Sequence, residues 1–426
     1  MRILITGVSG FIGRHIAQTL KDEGHQVVGC VRNLNERHYP PGIEVIQGDF
    51  SIDHSARVWR PRVTGFDAVI NAVGIIRQQG SQTFHALHTK APIALFRACE
   101  EMGVKRIIQI SALGADKSAF SHYHLSKKAA DDYLSSMKLE WLILMPSIVY
   151  GTGAKSMAFF KALSSLPLIP LIGLGDQMIQ PIHISDLTRL VTKCINTDNL
   201  LRQRLVVAGP TPIAIKSLLT ELRSWLGIGS AKFLSIPYPI AQILARLGGI
   251  SGNTPLTNET VTMLQRSNTG DIQPFIEHLG QAPQDIHNVL AETPAKDPDR
   301  WHAKLYFLSP VLRISIAFVW VFTGYISAFV FPRETSFALL SQVGISAVFA
   351  PLFLYGAAAF DIALGIATVV AYRIQILGWI QVLLILLYTL IISLYLPDQW
   401  LHPFGPITKN LPMVMAIFIM MILEKR

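Results

Sequence analysis

The sequence has few charged residues and few cysteines. Charged side chains make up 15% of the 426 residues, well below the usual quarter, and the mean hydropathy is +0.39. These values exclude a disordered chain and predict that part of the protein lies in lipid. Cys30, Cys99 and Cys194 are too far apart in sequence to indicate a disulfide framework or a zinc site. We therefore expect a reducing compartment and no resident metal.

Two further absences narrow the class of protein. The N-terminus, MRILITG, lacks the apolar stretch of a signal peptide, so we expect the N-terminal part to stay in the cytoplasm. Basic residues exceed acidic ones by nine but form no cluster or stripe, which argues against a nucleic-acid partner. Only ten charged residues fall in the last 119. The sequence thus predicts a globular front part and an apolar tail.

The first residues follow the pattern of strand, glycine turn and helix. A β-branched run at 2–6 leads into TGVSGFIG at 6–13, and apolar residues at helical spacing follow. Such a turn needs Gly7 for its tight bend, Gly10 for close approach of the backbone to a pyrophosphate, and Gly13 for packing of helix on strand. Further strands are expected, with helices between them, at 25–31, 44–47, 68–72, 106–111 and 141–145. We predict an α/β, Rossmann-like doubly wound parallel sheet that binds a dinucleotide.

The end of the second predicted strand indicates which dinucleotide is bound. It reads GCVRN and has no carboxylate to bind the adenosine ribose. Arg32, with Arg14, is suited to a 2′-phosphate, so we predict NADP(H) in preference to NAD(H); the alternative is that both arginines are solvated surface residues. GDF at 48–50 is expected near adenine and NAVG at 71–74 along the cofactor. The candidate cofactor residues are Thr6, Gly7, Ser9, Gly10, Phe11, Ile12, Gly13, Arg14, Arg32, Asp49, Phe50, Asn71, Ala72, Val73, Gly74, Tyr123, Lys127, Pro146 and Ile148.

Six motifs, in order, resemble those of the short-chain dehydrogenase/reductase superfamily, of its extended or atypical kind. They are the glycine motif, NAVG, Ser111 as the catalytic serine, YHLSK at 123–127 as YxxxK, MPSIVYG at 145–151 and QPIHISDL at 180–187. More narrowly, SALGAD, FLSIPYPIAQILARLGG and PLTNETVTMLQRSN are similar to bacterial relatives of the nucleotide-binding accessory subunit of respiratory complex I. The resemblance covers residues 1–295, with the substrate part at about 150–295.

The motif YHLSK carries the predicted chemistry. Tyr123 and Lys127 are four residues apart, hence on one face of a helix, where an ammonium favours the phenolate and makes Tyr123 a usable acid or base. We expect Ser111, at the end of a strand, to hold the substrate oxygen. The resemblance implies that Lys127 also binds the nicotinamide ribose. The alternative is a chance YxxxK on a basic helix, since Lys128 follows directly.

Substrate specificity is expected from the segment after the sixth strand. The candidate residues are Tyr150, Lys155, Gln180 and His183, with Met157 beside them, although His183 alone is more typical of a structural hydrogen-bonding residue. Apolar residues at 240, 243, 244 and 247 predict a helix with one apolar face. That face belongs either to the core or to a lid resting on the bilayer.

The last third of the sequence predicts a membrane domain at 308–426, after a linker at 296–307. Hydrophobic stretches predict four transmembrane helices at 311–331, 343–372, 374–396 and 407–424. An even number of spans places the C-terminus in the cytoplasm. Arg373, in the tight turn between the second and third predicted spans, is then cytoplasmic as well, in agreement with the positive-inside rule. TGYIS, AAFDIALG, PDQW, HPFGP and KNLP resemble the DoxX-like membrane family. Asp361 lies inside a span, where a carboxylate has either a proton or ligand role or a bond to a neighbouring helix.

Together these features predict a membrane-anchored NADP(H)-dependent oxidoreductase in the bacterial inner membrane. Its substrate would be the carbonyl or alcohol of a quinone, an isoprenoid or a lipid. The alternatives are a nucleotide-sugar epimerase or dehydratase, a redox-sensing or assembly factor that binds NADPH for a respiratory complex, and a small transporter or quinone-binding module with a regulatory head. The expected partners are a lipophilic small molecule, membrane lipid, and a respiratory complex or a second copy of the chain.

Overall fold

A computed structural model describes residues 1–35, 38–197, 202–250 and 257–424, with the backbone alone at 247–250. The chain divides into two compact units, Met1–Ala303 and Lys304–Arg426. The first unit is α/β and the second is helical.

The strands account for the core of the first unit. In chain order they are β1 (Arg2–Thr6), β2 (Gln26–Val31), β3 (Glu44–Gln47), β4 (Ala68–Asn71), β5 (Arg106–Ile110), β6 (Glu140–Pro146), β7 (Val149–Tyr150), β8 (Ile169–Ile172), β9 (Met178–Ile179), β10 (Ile182–His183), β11 (Gln203–Val207), β12 (Ile213–Ala214) and β13 (Phe233–Ile236). The main sheet has the order β11-β6-β5-β4-β1-β2-β3, and all its pairs are parallel. The order reverses between β1 and β4, so the prediction of a doubly wound Rossmann-like sheet is confirmed.

The central strands form because their sequences are continuously apolar. RILIT, AVIN and RIIQI are almost wholly buried, as is typical of parallel strands covered by helices on both faces. One buried cluster lies on each face of the sheet, around Ile16 and Leu187 on one side and around Trp59 and Phe96 on the other. β11 is a seventh strand that the sequence analysis did not predict; it pairs with β6 at the edge of the sheet.

The helices flank the sheet and build the second unit. They are α1 (Phe11–Asp22), α2 (Ala56–Val63), α3 (Ala91–Glu101), α4 (His122–Ser135), α5 (Lys155–Ser165), α6 (Ile184–Asn196), α7 (Ile215–Trp225), α8 (Tyr238–Ile250), α9 (Asn258–Met263), α10 (Gln273–Leu279), α11 (Ile286–Glu292), α12 (Asp297–Tyr325), α13 (Arg333–Gln342), α14 (Ala350–Val370), α15 (Ile374–Tyr395) and α16 (Asn410–Leu423). A π-helical turn at Ile326–Val330 extends α12.

Within the part of the chain that the structure describes, three segments are long and apolar enough to cross a membrane, namely Asp297–Val330, Ala350–Val370 and Ile374–Tyr395. The expected fourth helix, α16, has 14 residues and a length of about 21 Å, so it falls short of a hydrocarbon core of about 30 Å. The expected span at 343–372 begins only at Ala350, because Gly344 has a φ of +90° just after α13. Residues from Asp297 onwards are helical, which corrects the expectation of a linker at 296–307.

Candidate active site

The glycine loop after β1 allows neighbouring backbone to come very close to it. Gly7 has a φ of +73°, and a Cβ there would lie 2.9 Å from the backbone of Ala72. A Cβ on Gly13 would lie 2.2 Å from the carbonyl oxygen of Gly7, so α1 rests directly on the loop. No side chain caps α1 after Gly10, and its first turn has no acidic residue. The free N–H groups of this turn therefore suit a pyrophosphate.

A buried row of polar side chains crosses the carboxyl ends of three strands. Thr6 Oγ1 donates to Asn71 Oδ1 at 2.7 Å, and Asn71 Nδ2 donates to Gln109 Oε1 at 2.7 Å. Asn71 is fully buried, so its side chain ties β1, β4 and β5 together and is not free for a cofactor. This corrects the expectation for Asn71, while the backbone of 72–74 stays beside the loop.

Helix α4 presents the predicted acid/base pair. It begins after Ser121, whose hydroxyl accepts a hydrogen bond from the N–H of His124. The Lys127 ammonium is buried and donates to the carbonyl oxygens of Val73 at 3.2 Å and Ile110 at 3.0 Å. Lys127 thus lies where β4 and β5 end, and a Cβ on Gly74 would lie 3.3 Å from its Nζ.

The Tyr123 ring lies in an aromatic setting one turn before Lys127. Its centroid is 5.9 Å from Phe84, 5.3 Å from His88 and 5.2 Å from His124. Its backbone N–H donates to Glu259 Oε1 at 2.6 Å, which joins α4 to α9. Burial, and then the Asp131 carboxylate, raise the pKa of Tyr123 to about 12. Burial lowers the pKa of Lys127 to about 8, so at neutral pH the phenol is protonated and the amine is charged.

The structure corrects the role of Ser111. Its hydroxyl is buried and donates to Asp131 Oδ2, so it points into the protein and not toward a substrate oxygen. Burial raises the pKa of Asp131 to about 6, against the opposing effects of Ser111 and Lys127. The sequence analysis missed Asp131, although the spacing of Tyr123, Lys127 and Asp131 places all three on one face of α4.

His88 is a second residue that the sequence analysis missed. It lies in a π-helical turn, His85–Lys90, where the wider winding points the ring at the loop after β4. Its Nε2 accepts from the N–H of Ile75 at 3.0 Å, and its Nδ1 lies 3.0 Å from Ser126 Oγ. Burial and the Lys127 charge hold the pKa of His88 well below its usual value, so the ring is neutral. A lone histidine gives no sequence signal for this position.

A cavity of about 390 Å³ is lined by Phe84 and Glu259, two neighbours of Tyr123. Phe84 lies edge-on to the Tyr123 ring and Glu259 accepts from the Tyr123 backbone N–H, while α8 contributes Ala245 and Arg246 to the cavity wall. Its other lining residues are Ile76, Arg77, Gln78, Thr257 and Asn258. The cavity therefore combines charged and apolar groups beside the acid/base pair.

The four residues expected to contact substrate do not line this cavity. Gln180 is buried, donates to Gly209 O at 2.7 Å and accepts from Gly270 N at 3.1 Å, so its amide is used within the fold. His183 Nδ1 accepts from the N–H of Ser185 and caps α6, in agreement with the structural role considered for it. Tyr150 is buried with its ring 5.1 Å from that of His183, and Lys155 is exposed at the start of α5.

The remaining cofactor candidates lie on both sides of the glycine loop. Arg32 is exposed just after β2, and Arg14 extends from α1 toward Gly153, where a Cβ would lie 2.9 Å from its Nη2. Phe50 is buried against Trp59, with ring centroids 5.1 Å apart, so it belongs to the core and does not offer a surface to adenine. Asp49 Oδ1 accepts from the N–H of Ser51 at 2.8 Å. Ser9, Phe11 and Ile12 are half-buried in the loop and first turn, Pro146 is buried at the end of β6, and Ile148 is half-buried after it.

Family comparisons agree with this division of the chain. Residues 7–160 match the NAD(P)H-binding family, and residues 317–418 match the DoxX-like family. The chain joins an NAD(P)H-binding domain to a DoxX-like domain. The predicted dinucleotide-binding domain and the predicted DoxX-like domain are therefore confirmed, and the DoxX-like part contains helices that are long and apolar enough to cross a membrane.

Curated relatives align with the NAD(P)H-binding domain and the segment that follows it. The mitochondrial NADH dehydrogenase [ubiquinone] 1 alpha subcomplex subunit 9 of Mus musculus is 24% identical over 298 residues, which span 66% of this chain and 76% of that protein. The ceramide reductase of Caulobacter vibrioides is 26% identical over 196 residues, spanning 45% of this chain and 60% of the reductase.

Solved structures share the fold of the NAD(P)H-binding domain. A nucleoside-diphosphate-sugar epimerase of Staphylococcus aureus superposes with a TM-score of 0.55 at 20% identity, covering 68% of this chain and 99% of that one. MoeE5 in complex with UDP-glucose and NAD superposes with a TM-score of 0.52 at 19% identity, covering 68% and 96%. The likeness is one of fold.

The DoxX-like domain contains one carboxylate in a span. Asp361 on α14 is buried, and among the described residues its Oδ1 has no hydrogen-bond partner. α14 packs tightly on α12 nearby, since a Cβ on Gly365 would lie 2.8 Å from the carbonyl oxygen of Ala317. A carboxylate in such surroundings is costly to bury.

Proposed function

We propose that the protein is a membrane-anchored NADP(H)-dependent oxidoreductase that interconverts a carbonyl and an alcohol on a lipophilic substrate. The observation that carries this proposal is the position of Tyr123 and Lys127 one turn apart on α4. Lys127 donates to Val73, whose backbone lies against Gly7 of the glycine loop, and Tyr123 lies next to Phe84, which lines a cavity of about 390 Å³. Reactions of this type need a proton donor and a charged neighbour at the carbonyl, and this pair supplies both.

The residues present fit a dinucleotide. The glycine loop and the free N–H groups of α1 would hold its pyrophosphate, and the backbone of 72–74 would lie along its length. Arg32 and Arg14, with no carboxylate at the end of β2, favour a 2′-phosphate and hence NADP(H) over NAD(H). When bound, the reduced nicotinamide supplies a hydride to the carbonyl carbon, and its oxidised form accepts one from the alcohol.

The protein's own residues donate and accept the proton. In reduction Tyr123 gives its phenolic proton to the substrate oxygen, which becomes the hydroxyl of the alcohol. The Lys127 ammonium, held by Val73 O and Ile110 O, stabilises the phenolate that remains. In oxidation the same groups act in reverse. The hydrogen bond from Ser111 to Asp131 fixes the next turn of α4, so both act as positioning residues.

Two observations support a lipophilic substrate. The active-site domain is carried on a chain with its own membrane domain, so a substrate dissolved in lipid is always within reach. One relative is named a ceramide reductase, an enzyme whose substrate is a lipid. We infer from these features that the substrate is a lipid, an isoprenoid or a quinone, and that the N-terminal domain faces the cytoplasm of a bacterial inner membrane.

The test is NADPH oxidation by the full chain in mild detergent with long-chain carbonyl compounds. Tyr123→Phe removes the proton donor and should lower kcat by about 10²–10⁴-fold. Tyr133→Phe is the matched control, because Tyr133 lies on the same helix and bonds Arg97 away from the cavity. Equal activity of the Tyr123→Phe variant would refute the assignment.

A second candidate function is NADPH binding without turnover, as an assembly or redox-sensing factor of a respiratory complex. The engaged hydroxyl of Ser111 and the likeness to the alpha subcomplex subunit over 298 residues favour it. Purified protein that retains NADPH, oxidises none of the carbonyls offered and co-purifies with a respiratory complex would support this function over the first.

A further inference from the structure

Helix α8 has an apolar face that is about half exposed in the described part of the first unit. Ile240, Ile243 and Leu244 are 49%, 55% and 45% exposed, and Leu234 on the adjoining β13 is 49% exposed. Leu247, which the sequence pattern assigns to the same face, lies where the structure describes only the backbone. Such a continuous exposed apolar surface is typical of an interaction site.

The opposite face of the same helix is part of the core. Ala241 and Ala245 are buried and pack with Val261 of α9. Ala245 and Arg246 also form part of the wall of the cavity beside Tyr123. α8 therefore forms part of the cavity wall and carries Ile240, Ile243 and Leu244 on its exposed face.

Basic residues flank this apolar stretch in sequence. The sequence has no acidic residue between Glu221 and Glu259, and Glu259 lies on the cavity side of α8. Lys232 before the apolar side chains and Arg246 after them are both exposed. An apolar helix face flanked in sequence by exposed cations complements the surface of an anionic bilayer, where the side chains enter the acyl region and the cations meet headgroups.

We propose that the outer face of α8, with Leu234, docks on an anionic bilayer surface, so that a lipophilic substrate enters the cavity beside Tyr123 directly from lipid. The entry route rests on the proposed function, whereas the docking does not. The bilayer is the favoured occupant because the helix of the first candidate span, Asp297–Val330, runs directly out of the end of this unit at Ala303, which keeps lipid at high effective concentration.

The docking is tested on the full chain in nanodiscs with an environment-sensitive fluorophore on a single introduced cysteine. Native Cys30, Cys99 and Cys194 are all buried, so the new thiol is the reactive one. The probe replaces Ile243 (Ile243→Cys), and Leu244→Cys is a second site if the first variant does not fold. Ile52→Cys is the matched control, since Ile52 is 71% exposed and lies outside α8.

Nanodiscs that carry nitroxide-labelled acyl chains should quench the probe at position 243 or 244 at least twofold more than the probe at 52. Quenching should also be stronger with phosphatidylglycerol than with phosphatidylcholine alone. Equal quenching at the α8 and control positions would overturn the docking, and equal quenching in the two lipids would overturn the role of Lys232 and Arg246.

Measurements of turnover distinguish this inference from the proposed function. If the chain reduces carbonyls, Ile243→Ser should raise the KM for a long-chain substrate in the bilayer by at least threefold and leave the rate with a water-soluble short-chain carbonyl unchanged. An unchanged KM for the long-chain substrate would overturn the entry route. If the chain reduces no carbonyl, the proposed function fails, and the quenching experiment still decides the docking.

Discussion

Two buried side chains, Asp131 and His88, hold the acid/base pair in place. Asp131 bonds Ser111 beneath α4, and His88 bonds Ile75 N in the loop between β4 and the cavity. Both are within electrostatic range of Lys127, and each is held by a partner from another element. The electrostatic surroundings of Lys127 are therefore set in part by two residues that do not line the cavity.

The pH dependence of the reaction should report the ionisation of Lys127. Its pKa is about 8, lowered by burial, so the ammonium is present below that pH and is lost above it. The kcat/KM for carbonyl reduction should be level at neutral pH and should fall about tenfold per pH unit above about 8. Steady-state rates from pH 6 to 10 check this. Lys128→Met, one residue along and partly exposed, should leave the profile unchanged, and a profile flat to pH 10 would contradict the role of Lys127.

A substitution at Ser111 tests whether this residue positions α4 or contacts the substrate. Ser111→Ala removes the donor to a buried carboxylate, so the free energy of unfolding should fall by about 1–3 kcal/mol. Because the hydroxyl does not face the cavity, kcat/KM should fall less than tenfold. Denaturant titration and steady-state kinetics on the same preparation measure both. A rate loss of about 10²–10³-fold at unchanged stability would restore the role expected from the sequence.

The helices and strands show what the sequence can predict. β1 to β6 were predicted almost to the residue because each is a short run with an apolar, mostly β-branched or leucine centre between turn residues. β11, QRLVV, was missed because its polar first half lacks that signal. The second unit has three helices of spanning length where four spans were expected, since hydropathy alone does not reveal that α16 is only 14 residues long.

The site was predictable only where its residues are close in sequence. The spacing of Tyr123 and Lys127 within α4 was enough to pair them. The cavity was not foreseen, because its wall comes from segments far apart in the chain; Glu259 bonds Tyr123 across 136 positions. Gln180 was misassigned because nothing in the sequence shows that Gly209 and Gly270 use its amide.

The contact between α1 and the glycine loop yields a sharp prediction. Gly13→Ala places a Cβ 2.2 Å from Gly7 O, so α1 must move away from the loop. Binding of NADPH, measured by calorimetry, should weaken by at least tenfold or be lost. Gly229→Ala is the control, because a Cβ there meets nothing within 4 Å and the substitution should leave binding unchanged. Wild-type affinity in the Gly13→Ala variant would show that the pyrophosphate does not bind at this loop.

The chain as a whole combines an active-site unit with a membrane unit whose number of crossings sets the side of the C-terminus. With the N-terminal unit in the cytoplasm, three crossings leave the C-terminus outside, and four return it. We expect four, as the sequence analysis did, with the residues from 407 onwards added to α16 in the fourth crossing; Arg373 lies in a cytoplasmic turn with either number.

This topology predicts that a C-terminal epitope tag stays protected from protease in intact spheroplasts and is digested once the membrane is opened. A tag placed after Phe331, in the turn between the π-helical end of α12 and α13, serves as the external control. Digestion of the C-terminal tag in intact cells would establish three crossings. In both cases the chain should resist extraction by alkaline carbonate.

The row of buried polar groups from Thr6 through Asn71 to Gln109 has a consequence for nucleotide binding. Its first member ends β1 next to the loop proposed to bind the pyrophosphate, and its last lies beside Asp131, whose pKa burial raises to about 6. We expect ligand uptake at one end and proton uptake at the other to be linked, in which case each alters the other by the same free energy. The dissociation constant of the nucleotide will change with acidity between pH 5 and 7, so calorimetry in two buffers of different ionisation enthalpy should reveal a proton gained or released for each nucleotide bound.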